Sequence, residues 1–170
     1  MQDTRAPDWR DDVIQDFARS ELFERTFQEG MELVEETAAY LDGEGRQESK
    51  LLSRNAALAY AAESMRLTTR LMQLASWLLV QRAVREGDMK PAAACEARYR
   101  LNADETARNP DAEASRGDLP RGLTALADRA WRLYERVRHL DRRMYVDSET
   151  AEPTNPVLSH LDRLKSAFGG

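Results

Sequence analysis

A reactive or metal-binding centre in this chain would have to be built from few side chains. There are two histidines, His139 and His160, one cysteine, Cys95, and a scatter of carboxylates. A zinc centre wants several Cys or His ligands at close spacing, and two His with one distant Cys do not supply them. Glu135 and His139 stand four apart, whereas a di-iron bundle uses Glu-x-x-His pairs three apart with further inward carboxylates. His139 reads as a helix-surface residue, and His160 is no better placed. Cys95 has only Arg98 as a basic neighbour on its own short helix, too little to hold a reactive thiolate, so it reads as a small half-buried residue. The Gly43–Arg46 stretch is too short for a phosphate loop and follows a helix rather than a strand. The expectation is a protein that is not an enzyme, with no catalytic residue, no metal and no cofactor.

The remaining chemistry is recognition by charge. Glu32, Glu35 and Glu36 fall on one side of the first helix, and Arg129, Arg132 and Arg136 share a side of the last. These six are the charged docking candidates. The net charge of -5 hides a division. Residues 1–50 hold 14 acids against 6 bases, and residues 51–100 hold 8 bases against 4 acids. The Arg121–Arg143 stretch carries 7 Arg and 3 acids. An acidic first helix beside a basic last one favours their pairing. The Arg-rich face also raises an alternative, a helical DNA-binding or transcription-regulatory protein. Against it stand the acidic partner helix, the acidic chain and the lack of a short turn-recognition helix pair.

These residues must be held by helices. Pro and Gly are scarce, and one cysteine excludes a disulfide framework. The polar opening, residues 1–13, has no apolar leader and reads as a flexible N-terminal tail. A first helix starts near Asp12 to Asp16. Its stripe, Phe23, Phe27, Met31, Val34, Ala38 and Leu41, steps at helical period, with Phe17 and Leu22 extending it. Gly30 interrupts the stripe, either tolerated or marking a close helix crossing. Gly43 and Gly45 mark a short turn, so the next helix should run antiparallel to the first.

The second helix is expected from Arg46 or Gln47 to Glu86. One stripe contains Leu58, Met65, Met72 and Leu79. A second set, Leu67, Leu71, Leu74, Trp77 and Leu78, widens the apolar face. The apolar run Leu71–Val80 is ten residues, half of the roughly 20 that a bilayer span needs, so no membrane is expected. A three-helix monomer cannot easily bury so wide a face, which favours a homodimer. Leu71, Leu74, Trp77 and Leu78 are the dimer or packing candidates. Gly87 ends this helix and Pro91 starts a short extra one. A mobile loop covers about 102–118. The third helix shows a heptad seam: Leu123, Leu126, Ala130, Leu133, Val137, Leu140 and Met144. The fold class is all-α: an antiparallel three-helix bundle with long helices over residues 14–146, a short extra helix, and a flexible C-terminal tail over 147–170. In that tail Leu158, Leu161, Leu164 and Phe168 form a small amphipathic stripe. It either docks on its own bundle or binds in a partner's groove.

Three stretches carry a resemblance: "YLDGEGR" from Tyr40, "LAYAAESMRLTTRLMQ" from Leu58 and "ASWLLVQRAV" from Ala75. With Tyr99–Leu101 and the Asn155–Phe168 tail, they resemble the RcdA family of alphaproteobacteria, named for regulation of CtrA degradation. The resemblance runs from about Phe23 to Tyr145 and less closely through the tail. It implies a homodimeric three-helix bundle that acts as an adaptor for the ATP-dependent protease ClpXP. It implies work alongside a CpdR-like primer of ClpX, with cargo transcription regulators taken directly or through a PopA-like adaptor that binds cyclic di-GMP. The implied setting is the cytoplasm, concentrated at a cell pole, in cell-cycle control. The flexible tail is implied to be needed for function.

Overall fold

The computed structural model describes residues 9–101 and 114–145, and all regular structure among them is helical. Six α-helices occur there: α1 (Trp9–Arg19), α2 (Glu21–Asp42), α3 (Glu44–Ser49), α4 (Arg54–Glu86), α5 (Pro91–Ala94) and α6 (Arg121–Tyr145). Short 3-10 turns lie at Ala97–Tyr99 and Arg116–Asp118. Three long helices, α2, α4 and α6, make the bundle.

Caps decide where the helices break. The chain enters helix at Trp9, inside the stretch expected as an N-terminal tail. Ser20 then splits the expected first helix. Its hydroxyl accepts from the Phe23 amide at 3.1 Å and donates to the Phe17 carbonyl at 2.6 Å. That satisfies an orphan donor of α2 and lets α1 fold back. The expected second helix is also cut. α3 stops at Ser49, and Ser53 caps α4 by accepting from the Ala56 amide at 3.2 Å. Gly87 ends α4 at φ +82°, where a Cβ would be strained.

α2 runs antiparallel to α4: Gly30 lies against Leu78, and Glu24 pairs with Arg85 at the far end. α6 is antiparallel to α2 and parallel to α4, because Trp77 meets Asp141 and Gln81 meets Tyr145 at matching offsets along both helices. The long connection from Gly87 to Pro120 returns the chain to the end where α4 began. A short turn would have forced α6 antiparallel to α4.

The core is Leu67, Leu71, Leu74, Trp77 and Leu78 from α4, Phe23 and Leu33 from α2, and the α6 seam of Leu123, Leu126, Ala130, Leu133 and Val137. Ile14 and Ala18 of α1 close the Trp77 end, where the Phe17 ring meets the Trp77 ring at 6.0 Å between centroids. Gly30 marks a close crossing. A Cβ there would lie 2.5 Å from a terminal methyl of Leu78. Replacing Gly30 by Val is expected to cost about 1–3 kcal/mol by overpacking, read as a lower urea midpoint.

One buried polar network crosses this end of the core. Asp141 is 2% exposed. It accepts from the Trp77 indole at 2.9 Å and from the Arg100 guanidinium at 3.0 to 3.2 Å. Arg100 also stacks 4.8 Å over the Tyr145 ring, and the Gln81 amide donates to the Tyr145 hydroxyl at 2.8 Å. Asp141→Ala strands the indole donor and a guanidinium that is only partly exposed. The expected loss is about 3 kcal/mol by urea denaturation, near the lower end for a broken buried pair. Burial pushes the Tyr145 phenol up to about 12. An unfolded tyrosine titrates near 10. The native state therefore holds this proton more tightly, and its contribution is full below about pH 10 and falls as pH rises towards about 12. Tyr145→Phe should flatten that alkaline fall without abolishing it, since burial also raises Tyr40 and Tyr60.

Candidate functional site

The largest unpartnered surface is the outer face of α4. Leu58, Met65, Met72 and Leu79 recur every seven residues and are 65%, 72%, 66% and 52% exposed. Ala61, Ala62, Thr68, Thr69 and Ser76 fill the exposed positions between them. No charged residue occupies an exposed position from Leu58 to Leu79, a length of about 32 Å along the axis. Soluble helices ordinarily place charge on the face they show to water. A contiguous apolar stripe of this length marks a surface that another molecule covers.

The apolar surplus inferred from the sequence is therefore present, but on different residues. Leu71, Leu74, Trp77 and Leu78 are at most 4% exposed and lie in the chain's own core. They are packing residues of one chain and are not available to a second copy. The stripe that faces water is the one through Leu58, Met65, Met72 and Leu79. Pattern alone does not separate the two, because both repeat at helical period on one helix. What separates them is the path of α6, which covers one side of α4 and leaves the other.

Two recesses flank the outer stripe, and both include Met72. On the α2 side, Val34, Ala38 and Leu41 face Leu71, Met72 and Ala75 across a groove of about 350 Å³. On the other side, Met72, Ser76 and Val80 face Arg98, Tyr99 and Leu101 across a cleft of about 460 Å³. Arg100, tied to Asp141, anchors this second wall. The anchor links residues 41 apart across the long connection, and no local pattern announces it.

The charged candidates divide. Arg129 pairs with Glu36 at 2.6 Å and Arg136 pairs with Glu29, so α2 and α6 are laced along their exposed edges. Such pairs are individually weak, but their order fits only the antiparallel arrangement. Glu32 accepts from Gln28. Glu35 and Arg132 are exposed without an ion-pair partner among the described residues. Two of the three arginines of the Arg-rich face thus carry carboxylates beside them, which repel a phosphate backbone. His139 is exposed, and Cys95 is half-buried with its thiol on the Pro91 carbonyl at 3.5 Å. Among the described residues no three His, Cys, Asp or Glu side chains gather where they would hold a metal ion. No described helix is long and apolar enough to cross a membrane. Leu158, Leu161, Leu164 and Phe168 lie outside the described residues.

Comparison with known proteins agrees with this architecture. The family model described as "Protein of unknown function (DUF1465)" matches residues 14–168. The crystal structure of RcdA from Caulobacter crescentus CB15 is 69% identical in sequence and superposes with a TM-score of 0.63. The alignment covers 78% of this chain and 98% of that one. No curated protein matches the chain.

Proposed function

The chain belongs to the RcdA family, the DUF1465 proteins, and from that premise we propose that it is a non-enzymatic adaptor that tethers cargo proteins to the ClpXP protease in cell-cycle control. The observation that carries the reading is 69% identity to RcdA over nearly all of that solved chain. The uncharged outer face of α4 supports it, being a surface built for protein contact. The partners are ClpX with a CpdR-like primer, cargo transcription regulators and a PopA-like adaptor. The place of action is the cytoplasm, concentrated at a cell pole.

An adaptor of this kind makes and breaks no bonds. It holds cargo near the protease, so that capture becomes effectively intramolecular and avidity rises without stronger contacts. This requires a rigid body with more than one recognition surface. The bundle is the rigid body. The α4 stripe, its flanking recesses, the exposed Glu32 and Glu35 on α2, and Arg132 on α6 are separate surfaces. The function test is reconstitution. Added to ClpXP with a primer protein and a cognate cargo regulator, the protein should speed cargo loss severalfold over the same mixture without it. An unchanged rate across primer-and-cargo sets from its own cell would sink the reading.

The homodimer is assigned to the α4 stripe. Leu58, Met65, Met72 and Leu79 have the heptad spacing that lets one helix pack on a copy of itself, and the small residues between them allow close approach. Met65→Glu with Met72→Glu changes two exposed positions, so the bundle should keep its helix content and nearly all its stability. The same charges face each other, desolvated, in a dimer. Sedimentation should move from a two-chain species to a single 19.4 kDa chain. Wild-type protein that already sediments as one chain at tens of micromolar would remove the α4 stripe as a dimer surface.

A further inference from the structure

The cleft between α4 and the Arg98–Leu101 strap opens where α6 ends. Tyr145, the last described residue of α6, lies under Arg100, and Arg100 also lines the cleft. The chain leaving Tyr145 thus starts at the cleft mouth. Twenty-five residues follow. The first twelve, Val146–Val157, contain Asp147, Glu149 and Glu152 and no Lys or Arg. They leave an end of the molecule that presents Arg98, Arg142 and Arg143 as exposed cations. Next come Leu158, Leu161, Leu164 and Phe168, spaced to share one side of a helix. The cleft matches this order, with cations at its strap and Met72, Val80, Tyr99 and Leu101 for apolar side chains. Reach is ample. Twelve residues span up to about 40 Å, while Met72 lies only about 14 Å along α4 from Gln81, the residue that holds Tyr145.

We propose that residues 157–168 of this chain seat in the cleft between α4 and the Arg98–Leu101 strap, with the apolar stripe of Leu158, Leu161, Leu164 and Phe168 turned inward. The family model extends through residue 168, so the segment belongs to the family's shared sequence and is not an arbitrary extension. A seated segment covers Met72 and Ser76, which also belong to the outer face of α4. The segment therefore guards one edge of that face and must leave before a larger partner can use it. The seat stands independently of delivery to a protease.

Paramagnetic broadening in the full chain tests it. A nitroxide is placed on Ser166→Cys in a Cys95→Ser background, and the isotope-labelled, spin-labelled protein is diluted into an excess of unlabelled protein. The expected result is broadening of the Ser76, Val80, Tyr99 and Leu101 amides, lost when Leu161→Asp and Leu164→Asp are added. Those two changes lie outside the bundle and leave its fold intact. Absence of broadening at the four amides overturns the proposal, as does broadening that survives the two Asp substitutions. A signal seen only when spin label and isotope label are on different molecules also overturns it, and assigns the cleft to the segment of a second copy. Cleft amides that ignore the label but shift with protein concentration overturn it in favour of a second copy's bundle.

Discussion

One helix with two apolar faces governs this molecule. α4 is 33 residues long and carries a stripe through Leu67, Leu71, Leu74 and Leu78 beside another through Leu58, Met65, Met72 and Leu79. Two neighbouring helices, α2 and α6, cover only part of its circumference. They take the first stripe, since that side also receives Trp77 and the glycine notch at Gly30. The second stripe is left to water, and its lack of charge is a standing cost in apolar hydration. A sequence that keeps uncharged residues along about six turns of an outer face accepts that cost for what binds there.

Polar contacts then fix which arrangement of the helices is adopted. Apolar stripes pack in either direction, because leucines have no polarity along the axis. The Glu36–Arg129 and Glu29–Arg136 pairs suit only an antiparallel α2 and α6. Asp141 sets the other end, joining α4 through Trp77 to the returning chain through Arg100. A buried carboxylate adds little net stability, but removing its partners is expensive, so alternatives that leave it unpaired are excluded. The consequence reaches the surface. The strap that Asp141 anchors is one wall of the cleft beside the outer face of α4.

Much of this is legible in the residues. The α6 seam from Leu123 to Met144 lies inward, with Leu140 partly buried, as its heptad spacing requires. The spacings around His139 and Cys95 do not suit metal ligands, and the chain's letters alone say so. The excess of apolar surface on α4 is also readable as a need for a partner. Which stripe is in excess is not, because that depends on where the chain comes to rest after the long connection from Gly87 to Pro120. The breaks at Ser20 and Ser53 escape periodicity for a related reason. Serine within a helical pattern is ordinary until its hydroxyl takes a backbone amide. The Arg100–Asp141 pair lies beyond any periodic argument.

A protein that presents substrates to a protease must bind without holding too long, and must stay folded beside a machine that unfolds its neighbours. The division of α4 meets both demands. The buried stripe, the Gly30 crossing and the Asp141 network concentrate stability on the inner side, away from the contact surface. Changes of partner on the outer side therefore leave the core untouched. The outer stripe is rich in methionine and small residues, which repack against differently shaped surfaces more readily than branched side chains do. Specificity must then come from elsewhere. The exposed charges flanking the stripe, Glu32 and Glu35 on α2 and Arg132 on α6, are placed to repel a wrong partner as well as to attract a right one. An adaptable apolar strip bordered by fixed charge is how one small bundle can serve several partners and still refuse most proteins it meets.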